Sequence, residues 1–326
     1  NIKNILVQRL DTGMKELLTS IGTVGDKLGL NVYVVGGFAR DLLLQREVED
    51  IDIVVEGDGI VFAREYAAEK ECRVHSYKKF GTAVLIFPDE SKIDIASARL
   101  EHYKTPAALP TVEMSSIKLD LFRRDFTINT LAICLNRDRF GTMIDFFGAR
   151  RDLKDKTIRI IHSLSFVEDP TRVFRAIKFA NRYDFTIGKV TSNLIQNAVK
   201  INSFKNLSGL RVFSELKQIL EEENPIPAIR ALQEYGLEKI LHSQLNIDQS
   251  TYDLLEEVYK ALSWHDLLYT GEKYPRWSVY FMALISKCSF QVAKDLCLYL
   301  KIPLKERRTV MNGRLRAGEH LAFLER

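Results

Sequence analysis

The spacing of apolar residues predicts two kinds of structure along the chain. In the first half, short runs rich in β-branched and aromatic residues alternate with stretches of helical period. The runs predict strands at residues 31–35, 51–55, 74–77, 82–87, 92–96 and 143–146, with a hairpin joining the fourth and fifth. The helical stretches are residues 2–28, 38–45 and 60–70. Periodicity does not decide between helix and strand for residues 127–135.

After about residue 163 the strand pattern stops and only the helical period continues. Helices are predicted at residues 170–183, 190–199, 208–222, 227–235, 252–262, 277–287 and 290–300. We therefore expect an α+β fold: an N-terminal head with a mixed sheet and helices, followed by an all-α neck and body. The predicted divisions are residues 1–162, 163–222 and 223–326.

Composition limits the alternatives without choosing among them. The 326 residues are 46% hydrophobic and carry a net charge of +4, which permits a nucleic-acid partner but does not argue for one. The four cysteines lack zinc-site spacing, so we expect reduced thiols, no disulfide partner and a cytoplasmic protein. No apolar run reaches the roughly 18 residues of a membrane span, so we expect no membrane partner. Because the first residue is Asn1, the chain could be a fragment of a longer polypeptide.

Two aspartates two residues apart are the first candidates for chemistry. Asp50 and Asp52 fall in a predicted strand, where alternate residues share a face. Neighbouring carboxylates repel each other unless a cation lies between them, and Mg²⁺ prefers oxygen ligands. Asp94, in another predicted strand, is a possible third carboxylate for a phosphoryl-transfer site with two metal ions. The alternative for the Asp-x-Asp pattern is an ordinary solvated strand face.

A glycine pair precedes these aspartates. Gly36 and Gly37 follow a predicted strand and precede a predicted helix, so their turn exposes backbone N–H groups where a triphosphate could bind. The alternative is a tight turn without a ligand. Neither the P-loop pattern nor the dinucleotide-binding pattern of glycines is present.

Four motifs in one order resemble a known family. They are GGFARDLLL, EDIDIVVEGDG, RRDFTINTLA and EDPTRVFRAIKFA. Together they resemble the class II tRNA nucleotidyltransferases and bacterial poly(A) polymerases, which belong to the polymerase-β-like nucleotidyltransferase superfamily. The resemblance covers about residues 31–240. It implies a polymerase-β-like head, nucleoside triphosphate substrates, ATP and possibly CTP, two Mg²⁺ ions during catalysis, and the 3′ end of tRNA as acceptor.

The resemblance also implies roles for matching residues. Asp50 and Asp52 would bind metal, and Asp94 matches the third acidic position. The triphosphate pocket would be shaped by Gly36, Gly37, Arg40 and Asp41. The second motif would contribute Arg123, Arg124, Asp125 and Asn129, with Asp125 near the ribose 2′-hydroxyl. In the fourth motif, Asp169 and Arg172 would read the edge of C or A, followed on the same helix by Arg175. The alternatives are a helix cap for Asp169 and an exposed ion pair for Arg172.

Two further segments concern RNA. Residues 101–112 resemble the family's flexible loop, which is associated with addition of the terminal A. A basic cluster near the C-terminus is the predicted RNA-binding surface, and its alternative is a solvated face; its members are Lys301, Lys305, Arg307 and Arg308.

Several functions remain open at this stage. The chain could add AMP alone, CC alone or the whole CCA sequence to tRNA, and the intact segment 101–112 argues against CC alone. It could instead add poly(A) to other RNA 3′ ends. A catalytically inactive RNA-binding module is a further possibility, but Asp50 and Asp52 are both present, which disfavours it.

Overall fold

The computed structural model describes residues 2–48, 50–102, 111–268 and 274–324. These residues form two compact units, Asn1–Ser165 and Phe166–Arg326. The three-part division predicted above into head, neck and body remains a prediction.

The first unit is built on a seven-stranded mixed sheet in the order β3-β4-β5-β2-β1-β8-β9. Its strands are β1 Asn31–Val35, β2 Asp52–Glu56, β3 Arg73–Tyr77, β4 Thr82–Ile86, β5 Lys92–Ser97, β8 Ala132–Cys134 and β9 Met143–Ile144. A separate antiparallel pair is formed by β6 Arg99–His102 and β7 Thr111–Met114. The short strand β10 Thr157–Ile158 follows.

Helices cover both faces of this sheet. The helices of this unit are α1 Lys3–Arg9, α2 Thr12–Leu28, α3 Gly37–Leu44, α4 Gly59–Glu69, α5 Ile117–Phe122 and α6 Ala149–Lys154. The short helix α7 Ser165–Glu168 begins at the last residue of the first unit and continues into the second. On one face, Ile117 and Leu121 of α5 pack against Tyr33, Val35 and Val54. The helix α4 packs against β4 and β5, whose inward residues are buried at every second position. That alternation is why one face of β5 can bury apolar residues while the other presents Asp94.

The second unit consists mainly of helices. They are α8 Thr171–Tyr183, α9 Lys189–Lys200, α10 Gly209–Leu220, α11 Ile226–Glu234, α12 Leu237–Leu241, α13 Gln249–Leu267, α14 Arg276–Leu284, α15 Phe290–Tyr299 and α16 Leu304–Leu324. Its core includes Phe213, Trp277 and Phe281, whose rings pack on one another. The predicted α+β fold is confirmed, as are the predicted strands of the main sheet and the hairpin between β4 and β5.

Four local predictions need correction. The stretch 2–28 is two helices, because Asp11 caps a new helix by accepting a hydrogen bond from Met14 N at 2.7 Å. The ambiguous stretch 127–135 contains both a 3₁₀ turn, Thr127–Asn129, and strand β8. The second unit is not wholly helical, since Thr186–Ile187 forms a short strand, β11.

The fourth correction concerns Asp50. Strand β2 begins at Asp52 rather than at Ile51, because its pairing with β1 ends where Val35 lies opposite Asp52 and Gly36 turns away into α3. Asp50 therefore precedes the strand and is exposed. The same-face argument made for Asp50 and Asp52 does not hold as stated.

We expect Gly22→Ala to destabilise the first unit by about 1–3 kcal/mol, the usual range for overpacking. An added Cβ at Gly22 would lie 1.9 Å from the carbonyl oxygen of Leu135, which is backbone at the end of β8 and cannot rotate away. Urea denaturation followed by circular dichroism measures the change.

The matched control is Gly13→Ala in the same helix, α2. There the added Cβ would meet only the Asp11 carboxylate, at 3.4 Å. Alanine favours a helix by up to about 1 kcal/mol over glycine, so this variant should be neutral or slightly stabilised. Equal destabilisation of both variants would show that the contact with Leu135 is not what constrains Gly22.

Candidate active site

Strand pairing brings two of the predicted carboxylates together. Strands β2 and β5 run parallel, and Asp52 is directly in register with Asp94. Residues in register on adjacent strands project on the same face of the sheet. That face is the one covered by α5, since Val54 of β2 packs there and Asp52 lies two residues earlier.

The site makes ionisation of these carboxyls unfavourable. Burial raises the pKa of Asp52; the Arg124 guanidinium acts in the opposite direction, but the neighbouring charges of Asp94, Asp50 and Asp120 raise it further. Burial and the charge of Asp50 likewise raise the pKa of Asp94, against the opposing effect of Lys92. A bound cation would relieve this repulsion.

The carboxylates of this site suit a Mg²⁺ ion that is bound through only one or two protein ligands. Among the described residues, no group of three or more His, Cys, Asp or Glu side chains is arranged to hold a metal ion. Mg²⁺ is commonly held by one or two carboxylates, with substrate phosphates and waters completing its coordination. Asp52 and Asp94 offer such a pair, with Asp50 near enough to affect the pKa of both. The assignment of Asp50 and Asp52 as metal ligands remains a prediction.

Gly36 lies against this acidic pair. Its φ of +66° is in the left-handed region that favours glycine. An added Cβ would be 2.7 Å from Nη1 of Arg124 and 3.8 Å from an Asp52 carboxylate oxygen. A side chain at this position would therefore displace Arg124 and fill the space beside Asp52.

A buried aspartate, missed in the sequence analysis, holds the two arginines of the second motif. Asp120 is fully buried and accepts from Arg123 Nη2 at 2.7 Å and from Arg124 Nη2 at 3.3 Å. Burial raises the pKa of Asp120, but the two guanidinium groups outweigh that effect and hold the pKa below its ordinary value. The spacing of three and four residues in α5 and just beyond it was the available signal.

A second polar network joins the glycine-rich motif to the second motif. Arg40 donates two hydrogen bonds to Asp41, at 2.8 and 2.7 Å, and a third to Asn129 Oδ1 at 2.6 Å. Asn129 in turn donates to Asp125 Oδ1 at 2.9 Å. Four predicted site residues from two distant segments thus form one hydrogen-bonded chain. Arg40, Asp125 and Asn129 are buried, so this chain fixes α3 against the 3₁₀ turn.

In the second unit, Asp169 is held from two sides. Helix α8 begins at Thr171, with Pro170 preceding it, so Asp169 lies just before the helix and not within it. Its Oδ1 accepts from Thr171 Oγ1 at 2.6 Å and from Arg211 Nη2 at 2.9 Å. Arg211 lies on α10, a segment for which the sequence predicted a helix and no site residue. Its contact with Asp169 is therefore a finding of the structure.

The other residues of this motif lie on α8. Arg172 is buried, and Arg175 lies over the Phe179 ring at 5.6 Å from its centroid. Lys178 is buried as well and donates to Gln218 at 2.6 Å. The hydrogen bond from Lys178 to Gln218 ties α8 to α10, while the contact of Arg175 with Phe179 stays within α8.

Comparison with known proteins decides the family. A family model described as the poly A polymerase head domain matches residues 32–159, and one described as a probable RNA and SrmB-binding site of polymerase A matches residues 184–248. The chain is 52% identical over 310 residues to an A-adding tRNA nucleotidyltransferase of Geobacter sulfurreducens, covering 95% of this chain and 35% of that protein.

Comparison with solved structures indicates the same family. An apo form of a CCA-adding enzyme superposes with a TM-score of 0.88 at 38% identity, covering all of this chain and 76% of that one. The Thermotoga maritima CCA-adding enzyme in complex with tRNA gives 0.84 at 35% identity, with 100% and 75% covered. The chain belongs to the tRNA nucleotidyltransferase and poly(A) polymerase family. It spans about a third of the length of the Geobacter relative.

The remaining predictions for this nucleotidyltransferase family member concern the basic cluster and the flexible loop. Lys301 is exposed and precedes α16, while Lys305, Arg307 and Arg308 lie in its first turns; of these Lys305 and Arg308 are exposed and Arg307 is half-buried. Residues 103–110 of the predicted flexible loop lie outside the described residues; the flanking β6 and β7 are paired.

No described helix is long and apolar enough to cross a membrane. All four cysteines are free.

We expect Asp52→Asn to raise the free energy of unfolding near neutral pH in buffer containing EDTA. The pKa of Asp52 in the folded protein lies above its unfolded value, so stability is lost as the pH rises through the interval between them. Asparagine does not ionise, so the Asp52→Asn protein does not lose this stability as the pH rises. Its advantage should disappear below about pH 4, where the unfolded carboxyl is protonated as well. Denaturation curves across this range measure the difference.

Asp120→Asn is the control, for which we expect the opposite change in the free energy of unfolding. The folded pKa of Asp120 is lowered, so its stabilising contribution is present above the unfolded pKa and is lost as the pH falls. Breaking this buried ion pair should cost about 3–5 kcal/mol near neutral pH, and less in acid. A destabilised Asp52→Asn protein would contradict the carboxylate repulsion described above.

Proposed function

We propose that the chain is the catalytic part of a template-independent tRNA nucleotidyltransferase that adds AMP to the tRNA 3′ end. The observation that carries this proposal is the register of Asp52 with Asp94 beside Gly36 and Arg124. Such a cluster brings carboxylates, a guanidinium and an open backbone turn to one edge of the sheet. The similarity to A-adding enzymes from Geobacter sulfurreducens, Aquifex aeolicus and Halalkalibacterium halodurans supports AMP as the nucleotide added.

The reaction joins the RNA 3′-oxygen to the α-phosphorus of ATP, and the 3′-hydroxyl releases its proton to solvent water as this bond forms. The bond between that phosphorus and the bridging oxygen to the β-phosphate breaks, and pyrophosphate leaves with the electron pair. Asp52, with Asp50 and Asp94, would hold two Mg²⁺ ions, which supply charge stabilisation at the attacking and leaving oxygens. The chain itself would position the triphosphate through backbone N–H groups at the N-terminus of α3, from Gly37 onward. The Gly36 N–H is not among these donors, since it donates to the Leu131 carbonyl oxygen at 3.1 Å.

Arg124 has the geometry to serve the triphosphate. Its guanidinium is within reach of Asp52 and of Gly36, while Asp120 and the backbone oxygen of Asn129 accept from it. A fixed guanidinium offers several donors in one plane, which suits phosphate oxygens. Arg123, Asp125 and Asn129 then act through the two networks that position this arginine and α3.

Base selection is assigned to Asp169 and Arg172. The carboxylate of Asp169 would accept from the exocyclic amine of adenine, and the Arg172 guanidinium would donate to a ring nitrogen. Arg211 and Thr171 restrict the orientation of Asp169 in advance, which makes Arg211 a positioning residue. A base with the wrong edge would leave these polar groups unpaired, and such sites discriminate strongly.

Addition of the whole CCA sequence is the second candidate. It is supported by superposition on CCA-adding enzymes that were solved with ATP and with CTP. Poly(A) addition and an inactive RNA-binding module are further outcomes of the same experiment.

We expect the protein, with Mg²⁺ and ATP, to add a single AMP to a tRNA transcript ending in CC. The assay offers each labelled nucleotide to transcripts ending at the discriminator base, at C and at CC, and to an unstructured RNA. Asp52→Ala should lower AMP incorporation by about 10²–10⁴-fold, because a metal-bound carboxylate site contributes several kcal/mol of transition-state stabilisation.

The control variant is Asp89→Ala, which changes an exposed aspartate in the turn between β4 and β5 and should retain activity. CTP followed by ATP on the bare transcript would indicate full CCA addition. Long A tails on the unstructured RNA would indicate poly(A) synthesis. No incorporation by the unaltered protein would refute the enzymatic proposal for this chain.

We expect Asp169→Ala to lower kcat/KM for ATP by about 100-fold or more and to reduce the preference for ATP over GTP. The loss of the carboxylate removes the acceptor that distinguishes the adenine amine from the guanine carbonyl. Steady-state kinetics with each nucleotide on a transcript ending in CC measures both quantities.

Asp184→Asn is the control at the other end of α8. Asp184 has a φ of +55°, which asparagine tolerates, and it is exposed. This variant should leave selection unchanged. Unchanged ATP preference in Asp169→Ala would remove Asp169 from the base-reading role.

A further inference from the structure

Four rings form a cluster on the first unit, which we call the aromatic shelf: the exposed Phe122 and Phe146 and the half-buried Phe147 and His162. The Phe122 ring is stacked on His162 at 5.2 Å between centroids and contacts Phe147 at 5.9 Å. Phe146 contacts Phe147 at 6.3 Å. The outer rings are 40% exposed at Phe122 and 48% at Phe146, unusually high for phenylalanine.

The shelf lies on the face of the sheet that carries the carboxylates. Phe122 ends α5, whose Ile117 and Leu121 pack with Val54 and Val35, and Val35 is directly opposite Asp52. Phe147 packs against the same apolar cluster. Since Phe122 precedes Arg124 by two residues, their Cα atoms are at most about 7.6 Å apart, and Arg124 borders Asp52.

Cations accompany the rings. Nζ of Lys118 lies 5.7 Å from the centroid of Phe146. Arg123 follows Phe122 directly, and Arg150 is exposed at the start of α6. The acidic side chains nearby in sequence are buried or already engaged. Asp120 is buried and accepts from Arg123 and Arg124, and Asp125 is buried. Asp145 caps α6 by accepting from Ala149 N at 2.8 Å and Arg150 N at 3.1 Å. The surroundings of the shelf therefore suit a polyanion with flat, apolar faces.

We infer that the aromatic shelf stacks on the unpaired bases at the 3′ end of the RNA acceptor. This inference rests on the proposed function and extends it. Without a template strand, no base pairing holds the terminal nucleotide while its 3′-hydroxyl reacts. Stacking on aromatic rings holds bases of any identity, and nearby cations bind the phosphates between them. Phe122 and Phe146 supply the rings, and Lys118 supplies a cation.

The kinetic test replaces the rings while keeping their apolar volume. Phe122→Leu and Phe146→Leu should each raise KM for the RNA by on the order of ten-fold, with KM for ATP unchanged. Phe122→Tyr retains a ring and should behave as the unaltered protein does. The matched control is Tyr77→Leu, an aromatic residue of similar exposure, 48%, on the edge strand β3.

A fluorescence test does not depend on catalysis. A tRNA with 2-aminopurine as its 3′-terminal nucleotide is titrated with each protein in the absence of ATP. Stacking should quench the probe with the unaltered protein, Phe122→Tyr and Tyr77→Leu, and quench it much less with the double variant Phe122→Leu, Phe146→Leu.

The outcomes separate this inference from the function on which it rests. If the unaltered protein adds AMP and binds the labelled tRNA without quenching, the shelf does not stack on the terminal base and only the function stands. If AMP is never added, the proposed function fails, while the quenching still reports on RNA contact. A lower melting temperature in the leucine variants, with KM for RNA and quenching unchanged, would assign the rings to packing and overturn the inference.

Discussion

Repulsion between carboxylates on adjacent strands is the constraint around which the first unit is organised. Parallel pairing of β2 with β5 puts the half-buried Asp52 opposite the more exposed Asp94, and desolvation together with neighbouring carboxylates raises the pKa of both. Such a pair destabilises the folded protein by itself. The protein offsets part of this with Arg124, and Asp120 beneath the second motif keeps Arg124 in place. Unfavourable electrostatics of this kind are typical of sites that bind a cation or a charged substrate.

The two hydrogen-bonded networks explain why the motifs are arranged in space as they are. Arg123 and Arg124 converge on Asp120, whereas Arg40 and Asn129 link α3 to the 3₁₀ turn. Residues that resemble triphosphate ligands in sequence are therefore engaged with one another in the fold. Their common effect is to hold the turn at Gly36 and the guanidinium of Arg124 beside Asp52. Rigid support of this kind lowers the reorganisation required when a substrate binds.

Much of this could be predicted from sequence, and the exceptions have physical causes. The strands of the main sheet were predictable because buried β-branched runs such as Asn31–Val35 differ clearly in period from the helices. The start of β2 could not be predicted, because it depends on where its partner strand β1 ends and not on residues 50–51 themselves. Asp120 was missed because its spacing to Arg123 and Arg124 is equally typical of a surface ion pair, and its burial depends on the packing of α5. Arg211 was missed because its contact with Asp169 joins residues that are distant in sequence.

The exposure of aromatic residues on the first unit also depends on tertiary structure. Phe122 is the last residue of α5 and lies about 100° around the helix from Leu121, which together with Ile117 forms the buried face. Its partial exposure follows from this position off the buried face. Leaving Phe122 and Phe146 partly in water costs hydrophobic free energy that packing could have recovered. An apolar surface kept open beside charged groups is typical of a binding face, and here the neighbouring groups are the arginines and carboxylates of the candidate site.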